Sequence, residues 1–171
     1  MKKAFTMLEL VFVLIVIGIL SVFLIPRFGD KPLYQATAEL VSQIRYTQHL
    51  AMVDDKLDKN NNSWYKDRWQ IQFDDNKTSI VSDNGATYAK NPLDSTDIHN
   101  IDFQTKYGVT IAPCYNSIAF DHLGRPIANQ TSATSPYAGL LTSDCDITLS
   151  KGGESKTITL TPETGYVKVS D

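Results

Sequence analysis

Few residues in this 171-residue chain sit where they could do chemistry, and the most conspicuous is a carboxylate. Glu9 lies near the start of an apolar run. From Leu10 to Ile25 no other charged residue follows, and Ser21 is the only hydroxyl. An acid inside a membrane-like segment costs about 3 kcal/mol on insertion scales and normally has a partner, which the run does not supply. The two cysteines, Cys114 and Cys145, form one disulfide if the domain is exported and stay as two thiols if it is cytosolic. Closing their loop would stabilise the fold by roughly 3–4 kcal/mol. Asp121-His122 beside scattered serines hints at a hydrolase. There is, however, no Gly-x-Ser-x-Gly elbow, and His49, His99 and His122 lack metal-ligand spacing. "DKNNNS" from Asp58 opens like a calcium loop, yet Ser63 stands at the central glycine and Trp69 at the closing glutamate. No glycine-rich phosphate loop is present. The sequence therefore predicts neither an enzyme nor a bound metal or cofactor.

Nineteen acidic residues against sixteen basic ones give a net charge of −3, which weakens a nucleic-acid role. Lys151, Lys156, Arg125 and Lys168 could gather near the C-terminal hairpins into a phosphate-binding cluster. The acidic balance and the lack of aromatic–basic interleaving argue against it.

The elements that must hold these residues begin with the apolar run. A secretory signal peptide needs a core of about 7–15 residues and a small-x-small cleavage site. Lys2 and Lys3 supply its charge, but the core is too long and "SVFLIPRF" offers no Ala-x-Ala. A plain anchor fits better: Met7 to Ile25 is long enough for a membrane core of about 30 Å. The two lysines ahead of it predict a cytoplasmic N-terminus and an external C-terminal domain. That reading leaves Glu9 unexplained.

Pro26 should kink or interrupt the helix, and Asp30 after Gly29 is a possible N-cap. A second helix is predicted from about Lys31 to Asp54. Leu33, Ala36, Leu40, Val41, Ile44, Thr47 and Ala51 recur at helical spacing, with Glu39, Gln43, Arg45 and Gln48 largely off the stripe. Such a helix lays one face on a sheet. A membrane-surface helix would want a basic polar face. Beyond residue 63 the period becomes two. "RWQIQFDDNKTSIVS" places Trp69, Ile71 and Phe73 on one face and Gln70 and Gln72 on the other, turns at "DDNK" and returns from Ile80. "SIAFDHLGRPI" is a strand ending at a turn around Gly124. "ITLSKGGESKTITL" is a hairpin about Gly152-Gly153, and "TPETGYVKV" turns into a last strand. Antiparallel strands in series after a long helix predict an α+β fold. Residues 54–63, 82–100 and 128–139 read as polar surface excursions.

The N-terminal stretch closely resembles the class III signal of type IV pilins and pseudopilins. In that family a short basic leader is removed on the cytoplasmic side, the new N-terminus is usually Phe, and a Glu lies four residues on. Here the leader would be "MKKA", the cut would fall between Ala4 and Phe5, and the acid would be Glu9. Gly18 and Pro26 also fall where the family has a Gly and a Pro. The family usually has Gly before the cut, so Ala4 implies slower or specialised processing. The resemblance implies that the same prepilin peptidase methylates the amine of Phe5, which stays cationic. It also implies that Glu9 meets the amine of a neighbouring subunit in a filament, a strong attraction in a low-dielectric medium. Within one chain the two groups are only about 6 Å apart in helical rise, so an intrachain pair before assembly is the alternative.

"SIAFDHLGRPI" and "KTITLTPETGYVKV" are similar to the sheet end of H-type minor pseudopilins and T-type fimbrial minor pilins, through Phe120, Gly124, Arg125, Pro126, Thr161, Pro162, Gly165 and Val167. "LVSQIRYTQHLAMVDDK" resembles the helix end of that group. The expected organisation is a leader at 1–4, a transmembrane and filament-core helix at 5–26, an amphipathic helix at 27–56 and a periplasmic antiparallel β domain at 57–171. The expected function is that of a minor pseudopilin of a type II secretion system, a single-pass protein of the bacterial inner membrane. Its implied partners are prepilin peptidase, other pseudopilins, a membrane platform protein and a cytoplasmic ATPase. A minor pilin of a type IV pilus or of a DNA-uptake system is the alternative. From a different class, so is a membrane-anchored periplasmic binding module.

Overall fold

The computed structural model describes residues 6–24 and 32–170, the side chains of 20–24 excepted. The chain divides into two compact units after Lys31. In the first unit, helix α1 (Met7–Leu24) starts at Thr6, whose hydroxyl accepts the backbone N–H of Glu9 at 3.3 Å. The side chains of its described apolar residues, from Met7 to Ile19, are exposed. Residues 5, 25 and 26 of the expected span at 5–26 lie outside the described residues. Among the described residues no helix is long and apolar enough to cross a membrane. The leader, the Ala4–Phe5 cut, Pro26 and Asp30 lie outside the described residues.

The second unit is α+β, with antiparallel strands. Helix α2 (Pro32–Val53) buries all seven residues of the apolar stripe. Two threonines on the buried face, Thr37 and Thr47, donate to the carbonyls of Leu33 (2.7 Å) and Gln43 (2.8 Å), so neither hydroxyl is orphaned. Gln43, expected off the stripe, is also buried, and its amide oxygen accepts the Thr78 hydroxyl at 2.6 Å. The strands are β1 (Gln70–Asp74), β2 (Lys77–Ser82), β3 (Thr87–Tyr88), β4 (Ile101–Asp102), β5 (Thr110–Ala112), β6 (Ser117–Phe120), β7 (Pro126–Ala128), β8 (Cys145–Lys151), β9 (Glu154–Leu160) and β10 (Val167–Ser170).

These strands form two sheets. One runs β3-β2-β1-β6-β7, with β4 also on β2, and the other runs β10-β9-β8-β5. Helix α2 lies against β1 and β6 of the first and β8 and β9 of the second. Leu40 and Ile44 thus share one core with Ile71, Ile80, Ile118, Phe120, Ile147, Leu149, Ile158 and Leu160. The register follows the sequence pattern, with Ile71 opposite Ile80 and Ile118, and Ile147 opposite Ile158. Asp75 and Asn76, both at positive φ, close the first hairpin, as Gly152 and Gly153 close the other.

The surface excursions are more structured than expected. Residues 82–100 bury Ala89 and lead into β4 and a short helix, α3 (Phe103–Tyr107). Asp102 caps α3 by accepting the Thr105 N–H at 2.8 Å, and Gly108 ends it at φ +67°. Residues 128–139 lie down on the first sheet. Ala128 donates to Gly139, Leu140 bridges Ile127, and Gln130 is buried. This segment covers the face of β1 opposite α2. It forms a second small apolar layer with Tyr65, Val81, Ala119 and Ile127, all buried yet outside the main core.

Candidate functional site

Glu9 occupies the first turn of α1 and is that helix's only charged residue. A carboxylate there is favoured by the partial positive charge of the helix N-terminus. The Thr6 hydroxyl accepts the N–H of Glu9 itself, which fits the Thr-x-x-Glu form of a capping box. The signal for that role, "TMLE", was in the sequence beside the signal for assembly. The Glu9 carboxylate has no bonded partner among the described residues. What this arrangement offers is one acid at the end of an otherwise apolar surface.

Two of the residues behind the C-terminal resemblance, Gly124 and Gly165, come together beside one side chain of α2, Gln48. Asp121, buried between β6 and β7, accepts the backbone N–H groups of Leu123 (3.0 Å) and Arg125 (2.9 Å), and its other oxygen pairs with Arg125 Nε at 2.7 Å. The turn so formed presents the Gly124 carbonyl, which accepts Gln48 Nε2 at 2.9 Å. The same amide donates to Thr164 in the turn before β10 at 3.2 Å. Gly165 sits there at φ +62°, and a Cβ on it would lie 2.4 Å from the Gly124 carbonyl oxygen. The Gly-Arg turn and the Pro-Glu-Thr-Gly turn are therefore two halves of one lock, with Gln48 as its bolt. Asp121 is committed to this turn. Gln48, expected only to lie off the apolar stripe, is the residue sequence reasoning missed.

Cys114 and Cys145 are disulfide-bonded, with their Cα atoms 5.7 Å apart. The bridge ties the segment entering β6 to the start of β8, and so links the two sheets. Arg68, at 3% exposure, lies over the Trp64 ring (4.6 Å) and the Tyr137 ring (5.2 Å) and donates to the Pro136 carbonyl (2.7 Å). Arg125 lies over the same tyrosine at 5.4 Å. This ladder of alternating aromatic and guanidinium planes pins residues 136–137 to the sheet.

The four basic residues weighed as a phosphate-binding cluster have separate placements. Lys156 shares the inner face of β9 with Ile158 and Leu160, whereas Lys168 stands opposite Thr159 on the other face. Lys151 donates to the Tyr107 carbonyl, and Arg125 is paired with Asp121. No group of three or more His, Cys, Asp or Glu among the described residues could hold a metal ion. His99 packs its ring on Tyr88 at 4.2 Å. In "DKNNNS", Asp58 and Asn61 accept the N–H groups of Asn60 and Ser63, which makes the segment a run of tight turns.

Lys56 joins three segments. It pairs with Asp54 (2.8 Å) and Asp83 (3.3 Å), and Asp54 also accepts the Trp69 indole N–H at 2.9 Å. The Lys56 ammonium and then the indole hold the Asp54 carboxyl below the ordinary carboxylate range. Burial penalises the Lys56 charge, but the two carboxylates outweigh it and raise its pKa.

No protein-family model, curated protein or solved structure matches the chain.

Proposed function

We propose that the chain is a pilin-like structural subunit, a minor pseudopilin or minor pilin that packs α1 into a filament and displays the two-sheet domain. The observation that carries this reading is Glu9: a single acid, without a bonded partner, in the first turn of a helix whose other side chains are apolar or small. A buried carboxylate is costly unless paired. Its natural partner in an all-apolar bundle is the ammonium that cleavage before Phe5 would create on a neighbouring copy. The exposed apolar residues Leu8, Phe12 and Ile15 need cover from lipid or from other helices, which the same reading supplies. The disulfide fits a domain outside the cytoplasm. The resemblance favours type II secretion over a type IV pilus. The soluble domain then serves to start, cap or adapt the filament, and the ATPase work belongs to partners.

The test is Glu9→Ala expressed in cells that carry the assembly machinery. The variant should insert in the membrane like the parent chain and fall by about tenfold or more in crosslinked filament subunits. Unchanged incorporation would refute the proposal.

A further inference from the structure

One face of β1 carries polar residues at every second position, Gln70, Gln72 and Asp74, with Arg68 just before the strand. An alternating strand of this kind normally turns its polar face to water. Here residues 128–139 cover it. Gln70 and Gln130 are fully buried and Arg68 nearly so. Both atoms of the Gln70 amide, the Gln130 Nε2, and the Arg68 Nε and Nη2 have no hydrogen-bond partner in the protein. Each such group is destabilising if nothing meets it.

The covered stripe ends at an open cleft of about 720 Å³. Gln72, Asp74, Asn116, Asn129 and Thr131 line it, together with the backbone around Phe73. None of these five side chains bonds to another described residue. Several loop residues elsewhere are instead committed to the backbone. Asp58, Asn61, Asn91, Asp94, Asp102 and Asp121 each accept a nearby backbone N–H. The cleft therefore gathers free amides, a hydroxyl and a carboxylate, and more unpartnered polar groups lie next along the same strand face.

The lining selects the ligand class. No cation lines the cleft and two aspartates, Asp74 and Asp75, do, which disfavours anions. A bare metal ion is disfavoured by size: a water-sized guest needs about 30 Å³, whereas pockets of roughly 300–1,000 Å³ hold small organic molecules. Amides that donate and accept, beside a carboxylate that accepts, match groups that do both, namely adjacent hydroxyls. We propose that this cleft binds a neutral saccharide of one or two hexose units. The site is independent of the filament reading, and either can fail without the other.

The experiment uses the full chain in micelles of a zwitterionic detergent without a sugar headgroup. Cellobiose, maltose and N,N′-diacetylchitobiose are titrated by calorimetry and ligand-observed NMR. At least one should bind saturably in the millimolar range or tighter. Asp74→Ala and Asn129→Gly should each weaken it by about tenfold or more; glycine accepts the positive φ of Asn129, and neither side chain supports the fold by a hydrogen bond. Asp58→Ala, at another acidic loop, should bind as the parent does. Absence of saturable binding by all three sugars, or binding that both cleft variants leave unchanged, overturns the proposal. So does binding of calcium at the cleft with no sugar binding.

Discussion

Glu9 and Gly165 show how much a single position can carry. For Glu9 the sequence was sufficient to raise the question, because an acid in an apolar run has an energetic cost that no local residue offsets. The capping geometry with Thr6 adds a second reason for an acid at that position, and the two separate experimentally. Glu9→Gln keeps much of the cap but loses the charge, so it should insert normally and still assemble poorly, as read by filament crosslinking. Gly165 is constrained twice, by its positive φ and by the Gly124 carbonyl. Gly165→Ala should cost about 2–4 kcal/mol in denaturant unfolding, within the range of a strained backbone position. The glycine was visible in the sequence as a turn residue. Its contact with Gly124 was not, because the two turns lie about forty residues apart in the chain and meet beside Gln48. Gln70 was hidden for a related reason. Its alternation marks a strand face, but nothing local says that residues 128–139 will cover it.

At the scale of elements, the apolar stripe of α2 was fully legible, since helical periodicity depends only on neighbours three and four apart. Ile44→Ala should cost about 2–5 kcal/mol, whereas Tyr34→Ala on the exposed face should stay within about 0.5 kcal/mol, both read from unfolding midpoints. The hairpins were legible from their turns. The short helix α3 was not, because five residues are too few to show a period. The division into two sheets was not either, because it depends on pairings such as β1 with β6 and β5 with β8, far apart in the chain. The Asp54–Lys56–Asp83 junction also lies at this scale, since it fastens the end of α2 to Trp69 and to the segment after β2. A carboxyl held below its ordinary range adds stability that is present above about pH 4 and disappears as the pH falls through its folded value. Unfolding at pH 7 and pH 3 should therefore show a loss on acidification that is smaller in Lys56→Met than in the parent chain.

For the whole molecule, the design is a helix that covers two sheets at once, with the Cys114–Cys145 bridge linking those sheets. Reduction should lower stability by about 2–5 kcal/mol, measured by denaturant unfolding with and without reductant. On the proposed reading, a domain so fastened suits display on a filament, and the cleft at the end of β1 is the proposed place for a ligand. The filament reading depends on where the chain sits, and that depends on its first residues. The most direct test is the intact mass and N-terminal sequence of the protein recovered from cells that contain a prepilin peptidase. The account predicts a chain that begins at a methylated Phe5. A chain that still begins at Met1, or is cut elsewhere, would contradict it.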